Sequence, residues 1–148
     1  MMDRPALIVW NEKYSVGEKT LDQHHQRIFN IINMLHQQLR VGIPSSELSQ
    51  ILLDLVEYAE THFRAEEALM RECGYPDLSG QENAHHRYTI EVRRLITRIN
   101  EDWLNSTGDL FVFLKGWWQN HIVKMDKGYS PFMGKLKELD KIHSGDNG

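Results

Sequence analysis

Four stretches of this chain carry an apolar stripe at helical spacing, and each stripe turns an imidazole toward the side where aliphatic residues sit. The residues are His25, His62 with Glu66, His85, and His121 with Asp126. One histidine on an apolar face is commonly a satisfied core residue. Four of them, one per segment and joined by two carboxylates, are not explained that way, because buried ionisable groups need partners or a metal. The pattern constrains fold and chemistry together: four helices face a common interior, and that interior holds a metal site.

The segments follow from the same periodicity. Residues 1–20 lack it and contain Pro5 and Gly17, which predicts an extended N-terminal arm. Its apolar run from Ala6 to Trp10 is too short for a signal-peptide core or a membrane span, so it is expected to pack on the bundle. The first helix is expected from about Asp22, as N-cap or first-turn acid, to about Arg40, with His25, Ile28, Ile32, Leu35 and Leu39 on one face. Gly42 and Pro44 break the chain, and Ser45 or Ser46 caps a second helix. Its stripe runs through Leu48, Leu52, Leu55, Ala59, His62, Glu66 and Leu69, and Gly74, Tyr75 and Pro76 end it. The third helix covers about Ser79 to Trp103, with Gln81, His85, Tyr88, Val92, Leu95, Ile99 and Trp103 in register. Gly108 and Asp109 mark the next turn. A fourth helix carries Leu110, Leu114, Trp117, His121 and Met125 and ends near Asp126 to Gly128; Lys135 to Ile142 forms a short terminal helix beyond Pro131. No strand-period segment competes. The expectation is all-α: an antiparallel up-down-up-down four-helix bundle with an extended N-terminal arm. It forms a single domain over 1–148, with the arm at 1–20, the bundle at 22–128 and a tail at 129–148.

Composition narrows the partners. A net charge of -4 with no cluster of Lys or Arg argues against nucleic acid. Cys73 is the only cysteine, which excludes an internal disulfide and a cysteine-based metal site. With no secretory leader and no membrane span, the expected compartment is the cytoplasm. Five tyrosines and four tryptophans offer contact material but no diagnostic seam, so the oligomeric state stays open.

The donor set points to a class of metal. His62 and Glu66 stand four apart and stack on successive turns. His121 and Asp126, five apart, meet only if the helix is ending and the carboxylate swings inward. Imidazole and carboxylate without thiolate suit iron, manganese or zinc. Two carboxylates and several histidines suffice for two metals, each carboxylate able to bridge. His24 and His86 are out of phase with the stripes, which places His24 at the surface or behind a ligand, and His36 and His143 lack metal-like surroundings.

These residues resemble the hemerythrin family, and more closely its bacterial branch. The resemblance runs from Trp10 to about Tyr129. It rests on Trp10 with Tyr14-Ser-Val-Gly17, Leu21-Asp-Gln-His-His25, His62-Phe-Arg-Ala-Glu66-Glu-Ala-Leu-Met70, Gly74-Tyr-Pro76, and Trp117-Trp-Gln-Asn-His121-Ile-Val-Lys-Met-Asp126-Lys-Gly-Tyr129. It implies a four-helix bundle holding two non-haem iron ions, oxo- or hydroxo-bridged, that binds O2 reversibly. By position, His25 and His62 would hold the iron open to O2, Glu66 and Asp126 would bridge, and His85 and His121 would hold the second iron. Trp117, Trp118 and Ile122 would border the O2 pocket.

Two positions depart from that pattern. Where the family has a histidine one turn before His85, this chain has Gln81. Its amide could ligate directly, hydrogen-bond a water in the vacated place, or leave the second metal loosely held; Glu82, about 100° off the stripe, ranks last as a substitute. Trp118 stands where bacterial relatives usually have leucine, and would narrow the pocket. The resemblance implies a binding protein for O2 or a related small ligand, a carrier, store or scavenger rather than an enzyme. An altered site acting on peroxide or nitric oxide, and a structural bundle that has lost its metal, are the alternatives. A ferritin-like di-iron enzyme would need a second Glu-x-x-His pair beside Glu82…His85, a zinc hydrolase a His-Glu-x-x-His, and a phosphotransfer bundle a histidine just before Leu114-Lys-Gly116; none is present.

Overall fold

The computed structural model describes residues 6–41 and 45–134. Four helices account for most of them: α1 Lys19–Val41, α2 Ser45–Glu72, α3 Leu78–Glu101 and α4 Trp103–Lys124. Short 3-10 turns at Glu12–Tyr14 and Asp126–Tyr129 flank them, and no strand occurs among the described residues. Short connections place consecutive helices side by side, and α1 packs on α2, α2 on α3 and α3 on α4, which gives the antiparallel four-helix bundle. No described helix is long and apolar enough to cross a membrane.

The stripes become the core. Leu21, Ile28, Ile32 and Leu35 of α1 are buried in one core cluster with Leu52, Leu55 and Ala59 of α2 and Tyr88, Val92, Leu95 and Ile99 of α3. Leu110, Leu114 and Trp118 of α4 close the interior. Leu39 and Leu69, placed on the stripes by sequence, are half-buried at the margins. Beside Leu69, Met70 takes the fully buried position.

The arm is not helical before α1 except at Glu12–Tyr14, and it is held by polar side chains from the bundle. Asn33 accepts from the Ile8 N–H at 3.0 Å and donates to the Ile8 carbonyl at 2.8 Å, which satisfies a buried backbone pair. Asp22 sits in the first turn of α1, three residues inside it, and turns back to accept from Val16 N–H (2.8 Å) and the Ser15 hydroxyl (2.6 Å). Trp10, Tyr14 and Phe29 form a T-shaped and tilted aromatic cluster over α1.

Helix ends reflect local chemistry. α2 stops where Gly74 adopts φ 74°, which lets Tyr75 N–H return to the Met70 carbonyl at 2.9 Å. The boundary between α3 and α4 departs from the sequence expectation. The break is the single residue Asp102 (φ -145°, ψ 81°), whose N–H bonds Arg98 O and whose carbonyl accepts the first bond of α4, from Ser106. Trp103 therefore opens α4 rather than closing α3, and Gly108–Asp109 lies inside α4 rather than in a turn. A glycine surrounded by open space is tolerated within a helix at about 1 kcal/mol relative to alanine, so Gly108 lowers propensity without ending the helix. The expected capping by Ser45 or Ser46 rests on side chains outside the described residues. So do Gly42, Pro44, His143 and the terminal helix expected at Lys135–Ile142.

Candidate metal centre

α1 contributes His25, α2 contributes His62 and Glu66, α3 contributes Gln81 and His85, and α4 with the turn after it contributes His121 and Asp126. All seven are buried, none more than 5% exposed. The spacing of five between His121 and Asp126 works as anticipated. α4 ends at Lys124, Met125 caps it with its N–H on the His121 carbonyl, and the tight turn at Asp126–Tyr129 swings the carboxylate inward to 3.1 Å from His121 Nε2. That turn is close-packed: a Cβ on Gly128 would fall 2.6 Å from the Tyr75 hydroxyl.

The seven residues form one contiguous centre with two lobes. His25, His62 and Glu66 converge in one, and Glu66, His85, His121 and Asp126 in the other; within each, one atom per residue lies within 4.8 Å of the rest. Glu66 belongs to both, with Oε2 3.3 Å from His62 Nε2 and Oε1 2.9 Å from His85 Nε2. Asp126 also spans them, with Oδ2 3.4 Å from His25 Nε2 and Oδ1 3.1 Å from His121 Nε2. The imidazole nitrogens approach these carboxylates without hydrogen-bonding direction. His25 Nε2, His62 Nε2, His85 Nε2, His121 Nε2, Glu66 Oε1, Asp126 Oδ2 and Gln81 Oε1 all lack a hydrogen-bond partner. Such atoms are rare in a folded interior, and here each of the seven residues supplies one. A set of imidazole nitrogens and carboxylate oxygens, all with inward lone pairs, fits a metal centre.

The electrostatics agree. Burial pulls the His25 imidazole toward neutrality, but its contacts with Asp126 and Glu66 outweigh burial and raise its pKa to about 9. At His62 burial prevails and the pKa falls below the usual 6.5. Burial opposes the charge on both carboxylates, yet the imidazoles around them hold Glu66 well below the usual carboxylate range and Asp126 below it. The centre keeps two buried carboxylates ionised and binds a proton where a metal would sit.

Several residues around the centre were not singled out by periodicity. The Tyr129 hydroxyl donates to Glu66 Oε2 at 2.7 Å. Glu67 stands 2.7 Å from His85 Nδ1, on the side of the ring away from Glu66, and fixes its orientation. His24, out of phase with the stripe, is half-buried and shares a proton between its Nδ1 and His62 Nδ1 at 3.1 Å. Trp118 is fully buried, 6.3 Å from the His25 ring and 6.1 Å from the His62 ring, and its indole N–H donates to Tyr88 OH at 3.1 Å. Trp117 lies instead against the other lobe, stacked on His121 at 4.2 Å. Ile122 is fully buried. His86 and Glu82 are exposed, and half-buried His36 packs edge-on against Phe111, away from the centre.

The family model for the hemerythrin HHE cation binding domain matches residues 16–133. The chain belongs to the hemerythrin family. Hemerythrin-family proteins bind non-haem iron, and the cluster described above is the chain's candidate site for it. Among related proteins, the bacteriohemerythrin of Stenotrophomonas maltophilia (strain R551-3) is 31% identical over 127 residues, covering 84% of this chain and 80% of that protein. The bacteriohemerythrin of Methylococcus capsulatus (strain ATCC 33009 / NCIMB 11132 / Bath) is 29% identical, covering 85% of this chain and 96% of that protein. A crystal structure of wild-type hemerythrin superposes with a TM-score of 0.75 at 29% identity, covering 85% of this chain and 97% of its own. A leucine-to-alanine hemerythrin variant gives 0.77.

Proposed function

We propose that this hemerythrin-family chain holds a pair of non-haem iron ions, bridged by oxo or hydroxo, and binds O2 reversibly, as a carrier, store or scavenger rather than an enzyme. The observation that carries this reading is the convergence of unpartnered, buried donor atoms into two lobes that share Glu66 and Asp126. His25 and His62 would hold one ion and His85 and His121 the other, with Glu66 and Asp126, which reach both lobes, available to both. Ferrous iron held there would supply the electron-rich centre that reversible O2 binding requires.

The remaining chemistry belongs to the chain. Tyr129 donates to Glu66 and steadies the bridging carboxylate. Glu67 and His24 take the outer nitrogens of His85 and His62, which leaves the inner nitrogens as lone-pair donors. Trp118 lies against the His25 and His62 rings and, with buried Ile122 one turn on, would offer apolar surface that keeps water from a bound gas, and Trp117 shields the other side against His121. Anaerobic reconstitution with ferrous iron tests the reading. Two irons per chain, followed by a visible absorption band that appears with O2 and disappears under argon over repeated cycles, is the expected result. A colourless protein with no iron retained after desalting would overturn it.

A further inference from the structure

Gln81 is fully buried on α3, one turn before His85, and its amide is turned in a defined sense. Nε2 donates to Asp126 Oδ1 at 3.0 Å, and Oε1 has no partner. We propose that Gln81 is itself a metal ligand through Oε1, and that its bond to Asp126 is what turns that oxygen toward the metal. The inference rests on the di-iron reading above and extends it to the identity of one donor.

A carboxamide has two ends, and only the oxygen has a lone pair for a cation. With the amide reversed, two acceptor oxygens would face each other about 3.0 Å apart, too close for a water to lie between them. Asp126, ionised and anchored beside His121, therefore selects the orientation in which Nε2 is consumed and Oε1 is free. A buried carbonyl oxygen without a partner is costly unless something occupies it, and the unpartnered atoms of the lobe to which Asp126 belongs, His85 Nε2, His121 Nε2 and Asp126 Oδ2, are all donors of lone pairs. A further buried, unpartnered lone pair, on a side chain bonded to Asp126 of that group, calls for a cation. The donor is neutral and hard, so the lobe of His85 and His121 is biased toward oxygen-preferring divalent ions such as ferrous or manganous, relative to an all-imidazole set.

The test separates ligation from hydrogen bonding. Gln81→Glu keeps an oxygen at that end of the side chain but, as an anion, cannot donate to Asp126; Gln81→Leu removes both. Iron per chain is measured after anaerobic reconstitution and dialysis, with circular dichroism of the metal-free protein as the folding control. Two irons in wild type and Gln81→Glu, and one in Gln81→Leu, is the expected result. Two irons in Gln81→Leu would overturn the inference, as would loss of the second iron in Gln81→Glu, which would assign the residue to holding Asp126 instead. Fewer than two irons in wild type would overturn the di-iron reading itself and take this inference with it. Should Gln81→Leu not fold, Gln81→His carries the test. Imidazole in place of amide oxygen is expected to raise zinc uptake over manganese in a competition assay, and an unchanged ratio would overturn the assignment.

Discussion

At the scale of single residues, the centre is defined as much by what braces the inward donors as by the donors. Tyr129 is the clearest case, because its hydroxyl hydrogen-bonds a fully buried carboxylate that has no water to fall back on. Hydrogen bonds to charged groups contribute about 1.5–3 kcal/mol. Tyr129→Phe should therefore lower the stability of the metal-free protein by roughly that amount in urea unfolding, with the slope unchanged. A change below about 0.5 kcal/mol would mean that Glu66 finds another donor. The inward histidines, Glu66 and Gln81 were legible in the sequence because each lies on the stripe of its own helix, and Asp126 because α4 was expected to end just before it. Tyr129 and Glu67 were not assigned these contacts, and His24 was placed only as a surface residue or one behind a ligand. Helical period describes which face of one helix is buried, whereas these three act across contacts between elements, Tyr129 from a turn with no period at all. Gln81 shows the same limit: its phase placed it in the centre, but only its contact with Asp126 told one end of the amide from the other.

At the scale of elements, α1 and α2 could be read from the sequence to within a few residues, since their stripes are continuous and Gly74 stops α2 by a conformation that glycine adopts freely. The junction of α3 and α4 could not. Its break is one aspartate with no glycine or proline beside it, while the glycine that resembles a turn sits within α4. The arm was anticipated as a segment, but its fastening was not. Asp22 was read as a residue that starts a helix; in the structure it ties the arm to that helix through two bonds. Asp22→Ala should cost about 1–3 kcal/mol, because it strands the buried Val16 N–H. It should also loosen the contact of Trp10 with Tyr14 and Phe29. Limited proteolysis is the direct check: cleavage between residues 6 and 18 should precede cleavage of the bundle in the variant and not in wild type. Simultaneous loss of arm and bundle would show that the arm is part of one cooperative unit.

At the scale of the whole molecule, a bundle that buries two carboxylates and four imidazoles couples folding, protonation and metal. In the metal-free protein, His25 has its pKa raised from 6.5 to about 9 by Asp126 and Glu66, against the opposing effect of burial. A base whose folded pKa is raised stabilises the fold fully below its unfolded pKa, and that contribution fades as pH rises through about 9. Glu66 and Asp126, held below the usual range, add stability that is present above that range and lost on acidification. On the proposed reading a metal would replace the proton on His25, since metal ligands bind as free bases. Each pH unit below about 9 therefore costs roughly tenfold in metal affinity from this group alone. Two effects then act in the same direction as pH rises from about 6 to 8.5: the metal-free form loses part of its stability, and the metal binds more tightly. A ligand at a hundred times its dissociation constant stabilises a fold by about 2.7 kcal/mol, so the gap is large enough to follow. The difference in melting temperature between metal-loaded and chelator-treated protein should widen steadily over that interval, measured at fixed free metal. A gap that stays constant with pH would mean that His25 carries no proton in the metal-free bundle, and that the carboxylates are neutralised by some other group.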